Sequence, residues 1–61
     1  MDKYIIGETY WASNPAAGRN MQSTGELVGW EMDNLAILYN SRYGLFYATR
    51  KNLDEHNNFE D

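Results

Sequence analysis

The feature that most constrains this fold is a segment between Leu27 and Arg50 in which a large apolar side chain recurs at every second position, through residues 28–32, 35–39 and 45–47. Successive side chains of a β-strand point to opposite faces of a sheet, so a period of two predicts strands. The alternation is interrupted at Asp33-Asn34 and again at residues 40–44, and both interruptions are rich in turn-forming residues. The segment therefore predicts three antiparallel strands joined by two hairpins.

Two hairpin registers follow from these turns. A two-residue turn at Asp33-Asn34 places Met32 opposite Leu35 and Trp30 opposite Ile37. The next loop places Tyr39 opposite Leu45. One face of the sheet then collects the large apolar side chains, and we expect this face to be buried. Its members are Val28, Trp30, Met32, Leu35, Ile37, Tyr39, Leu45 and Tyr47. The opposite face is mixed, with Leu27, Gly29, Glu31, Ala36, Leu38, Phe46, Ala48 and Arg50.

On the mixed face, Leu38 and Phe46 form a small apolar patch that needs a cover. The cover could be Leu53 or Phe59 of the C-terminal segment, the N-terminal strand described next, or another molecule. If the other molecule is a second copy of the chain, the protein is a homodimer.

The remaining segments carry weaker patterns. Residues Tyr4–Trp11 are rich in aromatic and branched side chains and predict a first strand, and the stretch Ser13–Gly25 predicts an irregular loop. A helix over Asp33–Tyr43, with Gly44 after its end, is the alternative to the two hairpins. The predicted fold class is mainly β or α+β, a small antiparallel meander of three to four strands with at most one short helix.

Length and charge define one domain. The chain has 61 residues and no cysteine, so it has room for one core and can hold no disulfide. The segment 54–61 carries four acidic residues and no Lys or Arg, whereas residues 1–53 carry five of each sign. We therefore expect a folded domain over residues 1–53 and an acidic C-terminal tail over residues 54–61.

Catalysis is not expected from these residues. The single histidine, His56, lies in the acidic segment, and no serine has a positioned base beside it in the sequence. A lone imidazole with neighbouring carboxylates is more typical of a solvated terminus than of a metal site, so no cofactor and no metal are expected. The N-terminus lacks the pattern of a secretory signal, and the longest apolar run, Leu35–Tyr39, is too short to cross a bilayer. These features predict a cytoplasmic protein without membrane contact.

The functional prediction is a small acidic protein-binding module. Acidic groups complement a basic surface, and by class-level analogy the partner is a nucleic-acid-handling host protein inhibited by a phage or mobile-element product. The candidate partner-binding residues are Glu26, Glu31, Asp33, Leu38, Tyr43, Phe46, Asp54, Glu55, Glu60 and Asp61. One alternative is a binder of single-stranded nucleic acid or another ligand through Trp11, Arg42 and Tyr43, although the acidic balance argues against nucleic acid. The other alternative is a self-assembling structural subunit.

Overall fold

The computed structural model describes residues 2–57 and folds them into a four-stranded antiparallel sheet with one α-helix. The strands are β1 (Thr9–Ser13), β2 (Gln22–Met32), β3 (Leu35–Asn40) and β4 (Gly44–Thr49), and they lie side by side in chain order. A short 3₁₀ turn (Pro15–Ala17) connects β1 to β2, and helix α1 (Arg50–Asn57) follows β4. The predicted fold class is confirmed, and the hairpins rather than a helix occupy residues 33–43.

The hairpin between β3 and β4 has the predicted register. Ile37 lies opposite Tyr47, and the pairing continues without interruption from the loop to the ends of both strands. In the loop, the side-chain oxygen of Asn40 accepts hydrogen bonds from the backbone amides of Arg42 and Tyr43, at 2.8 and 3.2 Å. This Asx turn fixes the strand connection.

The hairpin between β2 and β3 departs from the predicted register. A two-residue turn sets Met32 opposite Leu35, as predicted, but two β-bulges in β2 shift the pairs beyond it. Trp30 therefore lies opposite Ala36, not opposite Ile37. Because each bulge inserts one residue, the side chains beyond it exchange faces, and Trp30 turns to the side of the sheet that the helix covers.

The buried face of the sheet is the one that the sequence pattern assigned as mixed, which corrects the expected assignment. Helix α1 and the N-terminal segment cover it, and Leu38 is fully buried there. The core consists of Tyr4, Tyr10, Ala12, Leu27, Ala36, Leu38, Phe46, Ala48 and Leu53. Side-chain size explains the choice, because a Cβ atom at Gly25 would lie 2.7 Å from Cζ of Phe46. Small residues on this face let covering elements approach closely, as dense packing requires.

Helix α1 begins directly after β4 and crosses the sheet towards β1. The hydroxyl of Thr49 accepts a hydrogen bond from the backbone amide of Asn52 at 3.1 Å, which caps the first turn. Leu53 is fully buried under the helix. The helix continues to Asn57, so residues 54–57 of the expected acidic tail are helical, and the remainder of that tail lies outside the described residues. Phe59 lies outside the described residues.

The N-terminal segment is folded onto the same side as α1, and β1 begins at Thr9, later than predicted. The guanidinium group of Arg50 bonds both carboxylate oxygens of Asp2, at 2.9 and 3.1 Å, and donates to the carbonyl of Asp33. It also lies 4.1 Å from the centre of the Trp30 ring. The Arg50 side chain thus connects the N-terminal segment to the β2–β3 hairpin. Among residues 2–57, no helix has the length and apolar character needed to cross a membrane.

Candidate protein-binding surface

The side of the sheet opposite α1 has no cover among residues 2–57, and it carries most of the large apolar side chains. We call this surface the open face. Its large apolar side chains are those of Trp11, Val28, Met32, Leu35, Ile37, Tyr39, Leu45 and Tyr47, and Glu26 and several threonines lie among them. The exposed fractions of Trp11, Tyr39 and Tyr47 are 49%, 45% and 58%. The face that the sequence pattern predicted to be buried is therefore the accessible one.

The open face is large for so small a protein. Aromatic side chains of this kind present about 150–250 Å² each, so half-exposure of Trp11, Tyr39 and Tyr47 leaves about 300 Å² of aromatic surface in water. Leu45 and Met32, which are 67% and 62% exposed, add to it. Apolar patches of about 300–600 Å² are the largest that ordinary monomers carry, and they are often binding sites.

Charge is almost absent from the open face. Its one charged side chain is that of Glu26, which lies opposite Tyr39 beside a shallow depression of about 240 Å³. Glu31 and Asp33 are exposed at the end of the β2–β3 hairpin, next to the face. The electrostatic character of this side of the molecule is therefore weakly acidic around an apolar centre.

The basic side chains lie mainly elsewhere. Arg50 binds Asp2 on the covered side, and Lys3 forms an ion pair with Asp54 at 3.0 Å. Arg42 lies in the β3–β4 loop, 5.6 Å from the centre of the Tyr43 ring. A surface that binds nucleic acid needs cations for the phosphates beside aromatics for the bases. The open face supplies the aromatics without a matching set of cations.

The structure separates the predicted partner-binding residues into different regions. Glu26 lies on the open face, Glu31 and Asp33 lie at its edge, and Tyr43 is half-buried in the β3–β4 loop. Leu38 and Phe46 belong to the core, so their assignment to a partner-binding patch is corrected: the helix occupies the place that a partner was expected to take. Asp54 and Glu55 lie on α1, and Glu60 and Asp61 fall outside the described residues.

Asp54 has a structural role. The hydroxyl of Tyr4 donates a hydrogen bond of 2.5 Å to this carboxylate, and that bond, together with the bond from Lys3, lowers the pKa of Asp54 below its ordinary value. Burial and the neighbouring carboxylate raise the pKa of Tyr4. His56 lies 3.2 Å from the hydroxyl of Ser13, and no group of three or more carboxylates and imidazoles within residues 2–57 could hold a metal ion.

Sequence reasoning missed Tyr39, Leu45 and Tyr47 as surface residues because it assigned large apolar side chains to the core, whereas it had placed Trp11 among the accessible aromatics of the alternative ligand-binding surface. The signal that identifies the buried face is the distribution of small residues. Ala12, Ser23, Gly25, Ala36 and Ala48 share the buried face. A face lined with small side chains admits a helix, whereas a face lined with large ones keeps it away.

No protein-family model matches this chain, and no curated protein or solved structure matches it. What this chain binds is therefore inferred from the geometry of the open face. That geometry combines half-exposed aromatic side chains, a strand scaffold and little charge.

Proposed function

We propose that this protein is a small protein-binding module whose docking surface is the open face. The observation that carries the proposal is the exposure of Trp11, Tyr39 and Tyr47 on one side of a sheet whose other side is fully packed. None of these three aromatic side chains belongs to the hydrophobic core. Tyrosine and tryptophan are enriched among the residues that dominate binding energy, because they bury large areas with few rotatable bonds.

The chemistry of the partner follows from the rim of the face. Glu26, Glu31 and Asp33 place acidic groups on or beside the apolar centre, so the matching surface is apolar with a basic rim. Such a surface is typical of proteins that handle nucleic acids, and occlusion of it would make this chain an inhibitor. Docking through the open face supports this role better than docking through Leu38 and Phe46, which are buried.

The test is capture with matched variants. The wild-type protein and the Tyr47→Ala variant are immobilised and exposed to the same cell lysate, and retained proteins are identified by mass spectrometry. The control is Ile6→Ala, because Ile6 is 63% exposed but belongs to the N-terminal segment and is not part of the open face. We expect a specific protein to bind the wild type and the control and to be lost from Tyr47→Ala. A protein retained equally by all three would contradict docking on the open face.

The identified partner then permits a kinetic test of the rim. Changing Glu26 to Lys should slow association and weaken the salt dependence, whereas Tyr39→Ala should mainly speed dissociation. Single-stranded oligonucleotides serve as the competing class of ligand. Saturable quenching of tryptophan fluorescence by an oligothymidylate, abolished by Tyr47→Ala, would replace a protein partner with nucleic acid.

A further inference from the structure

The two edges of the sheet differ, and the difference indicates a second binding site. Backbone N–H and C=O groups along the outer strand of a sheet have no strand beside them, so they can pair with a strand of another molecule. Proteins usually cover or disrupt such edges. In this fold β1 and β4 are the edge strands.

The edge of β1 is covered by side chains of α1. The backbone amide of Trp11 donates to Oδ1 of Asn57 at 2.9 Å, and Nδ2 of Asn57 donates to the carbonyl of Trp11, also at 2.9 Å. The amide of Ser13 donates to Oδ1 of Asn52 at 2.8 Å. The two asparagines therefore bind β1 as a neighbouring strand would, and this edge is closed.

The edge of β4 has no such cover among residues 2–57. The amide of Arg50 donates to the carbonyl of Asn34, and this bond identifies the hydrogen-bonded pairs of the β3–β4 ladder. Because bonded and non-bonded pairs alternate, Phe46 and Ala48 direct their backbone groups towards β3, whereas Leu45 and Tyr47 direct theirs outwards. No described residue bonds the outward groups of Leu45 and Tyr47.

The sequence of β4 also lacks the features that protect an exposed edge. The strand Gly44–Thr49 reads GLFYAT and contains no charged residue and no proline, and its pairing with β3 has no bulge. Its side chains at Leu45 and Tyr47 are apolar or aromatic and largely exposed. An exposed edge strand of this kind can pair with a strand of another molecule. We propose that β4 pairs with β4 of a second copy of this chain, antiparallel and across a twofold axis.

The proposed register follows from which backbone groups point outwards. Setting Leu45 opposite Tyr47 of the second copy uses the outward N–H and C=O groups of both residues, and it forms four backbone hydrogen bonds between the copies. Phe46 then lies opposite its own copy at the axis. Residues directly opposite each other share a face, so the Leu45–Tyr47 pairs lie on the open face and join the two open faces into one surface.

The chemistry of the edge favours a second copy over a foreign strand. The twofold axis sets β4 against the same strand of the second copy, and this is tolerated because β4 carries no charge that would repel itself. The same neutrality gives the edge nothing with which to select a charged strand. Pairing of one six-residue strand buries less area than a standard interface, so the dimer is of the weak, concentration-dependent class. The inference does not depend on the proposed protein-binding role of the open face.

The experiment is sedimentation equilibrium of the purified chain from about 10 µM to about 1 mM, with hydrogen exchange measured at both limits. We expect the mass to rise from 7.1 kDa towards twice that value. The amides of Leu45 and Tyr47 should exchange rapidly in the dilute sample and at least about tenfold more slowly in the concentrated one. The amides of Phe46 and Ala48, which bond β3, should be protected in both.

Two variants and one control locate the contact. Leu45→Lys places a charge on the edge, and Tyr47→Pro removes an outward amide without removing a bond to β3, so both should abolish the rise in mass. The control is Met32→Lys, since Met32 is about as exposed as Leu45 but lies on β2, two strands from the β4 edge and level with Thr49 rather than with Leu45. Should Tyr47→Pro fail to fold, Leu45→Lys and the exchange pattern still decide.

Three results would overturn the proposal. One is a chain that stays at 7.1 kDa throughout the concentration range. Another is a dimer that both Leu45→Lys and Met32→Lys disrupt, which would show stacking of open faces. The third is a dimer in which the Leu45 and Tyr47 amides remain in rapid exchange.

Discussion

The reversal of the two sheet faces can be tested with one matched pair of substitutions. Leu38 and Leu45 lie on neighbouring strands, one on each face, and their exposed fractions are 0% and 67%. Changing each to alanine removes the same three carbon atoms. The sequence pattern predicts that Leu45 is buried, and the structure shows Leu38 buried, so the two assignments make opposite predictions for the free energy of unfolding.

The expected magnitudes differ severalfold. Removing three buried carbon atoms costs about 2.4 kcal/mol of transfer free energy, and the cavity raises the loss for Leu38→Ala to about 3–4 kcal/mol. Two-thirds of the Leu45 side chain is in water already, so Leu45→Ala should cost less than about 1 kcal/mol. A chain of this length is stable by about 3–9 kcal/mol in total. Leu38→Ala should therefore be close to unfolding, whereas Leu45→Ala should not.

Urea unfolding, followed by tryptophan fluorescence and circular dichroism, measures this difference in dilute solution. With a slope near 1 kcal/mol per M for so small a domain, Leu38→Ala should lower the midpoint by about 3 M and Leu45→Ala by less than about 1 M. Equal losses, or a larger loss for Leu45→Ala, would refute the assignment of the buried face and with it the identity of the open face.

Two further predictions concern contacts made by α1. Asn57→Ala removes the side chain that bonds the backbone of Trp11, so β1 should gain a free edge. We expect dynamic light scattering to show assemblies larger than a dimer at high concentration. An unchanged size distribution would contradict the role of Asn57 in covering the β1 edge. The pKa of Asp54 is lower in the folded chain than its ordinary value of 3.8, so its stabilisation is complete above that pH and is lost as the pH falls further. The pKa of Tyr4 is raised from 10.0, so its stabilisation holds below pH 10 and is lost above it. The urea midpoint, measured as a function of pH, should fall at both extremes. Asp54→Asn should reduce the loss of stability at acid pH, and Tyr4→Phe should reduce the loss at alkaline pH. Profiles unchanged by both substitutions would exclude the Tyr4–Asp54 pair as the cause.

The β3–β4 hairpin could be predicted because its determinants are local. Alternation sets the face of each residue, and Asn40 and Gly44 carry the side chain and the positive φ that the loop requires. The bulges in β2 could not be predicted in the same way. Val28, which the first bulge leaves unpaired, is a residue type common in regular strands, so only the observed strand pairing reveals that the register has shifted.

The helix was equally hard to place from sequence. The segment Arg50–Asn57 buries only Leu53, so it has no apolar stripe with helical spacing. Its acidic residues and asparagines resemble those of a solvated terminus. The side chains that define it, Asn52 and Asn57, are recognised only when β1 is seen beside them. The candidate binding surface could not be identified from sequence either, because the buried and open faces both carry apolar residues.

The position of α1 accounts for the distribution of accessible surface on this molecule. The helix starts at β4 and ends beside β1, so it covers the face with small residues and closes the β1 edge with amide side chains. Within residues 2–57, this eight-residue helix leaves the opposite face and the outer edge of β4 uncovered. The surfaces that it leaves open, the aromatic face and the β4 edge, meet at Leu45 and Tyr47. Pairing at the edge would therefore widen the face, and binding at the face would be expected to strengthen the pairing, because each contact orders the strand that the other uses.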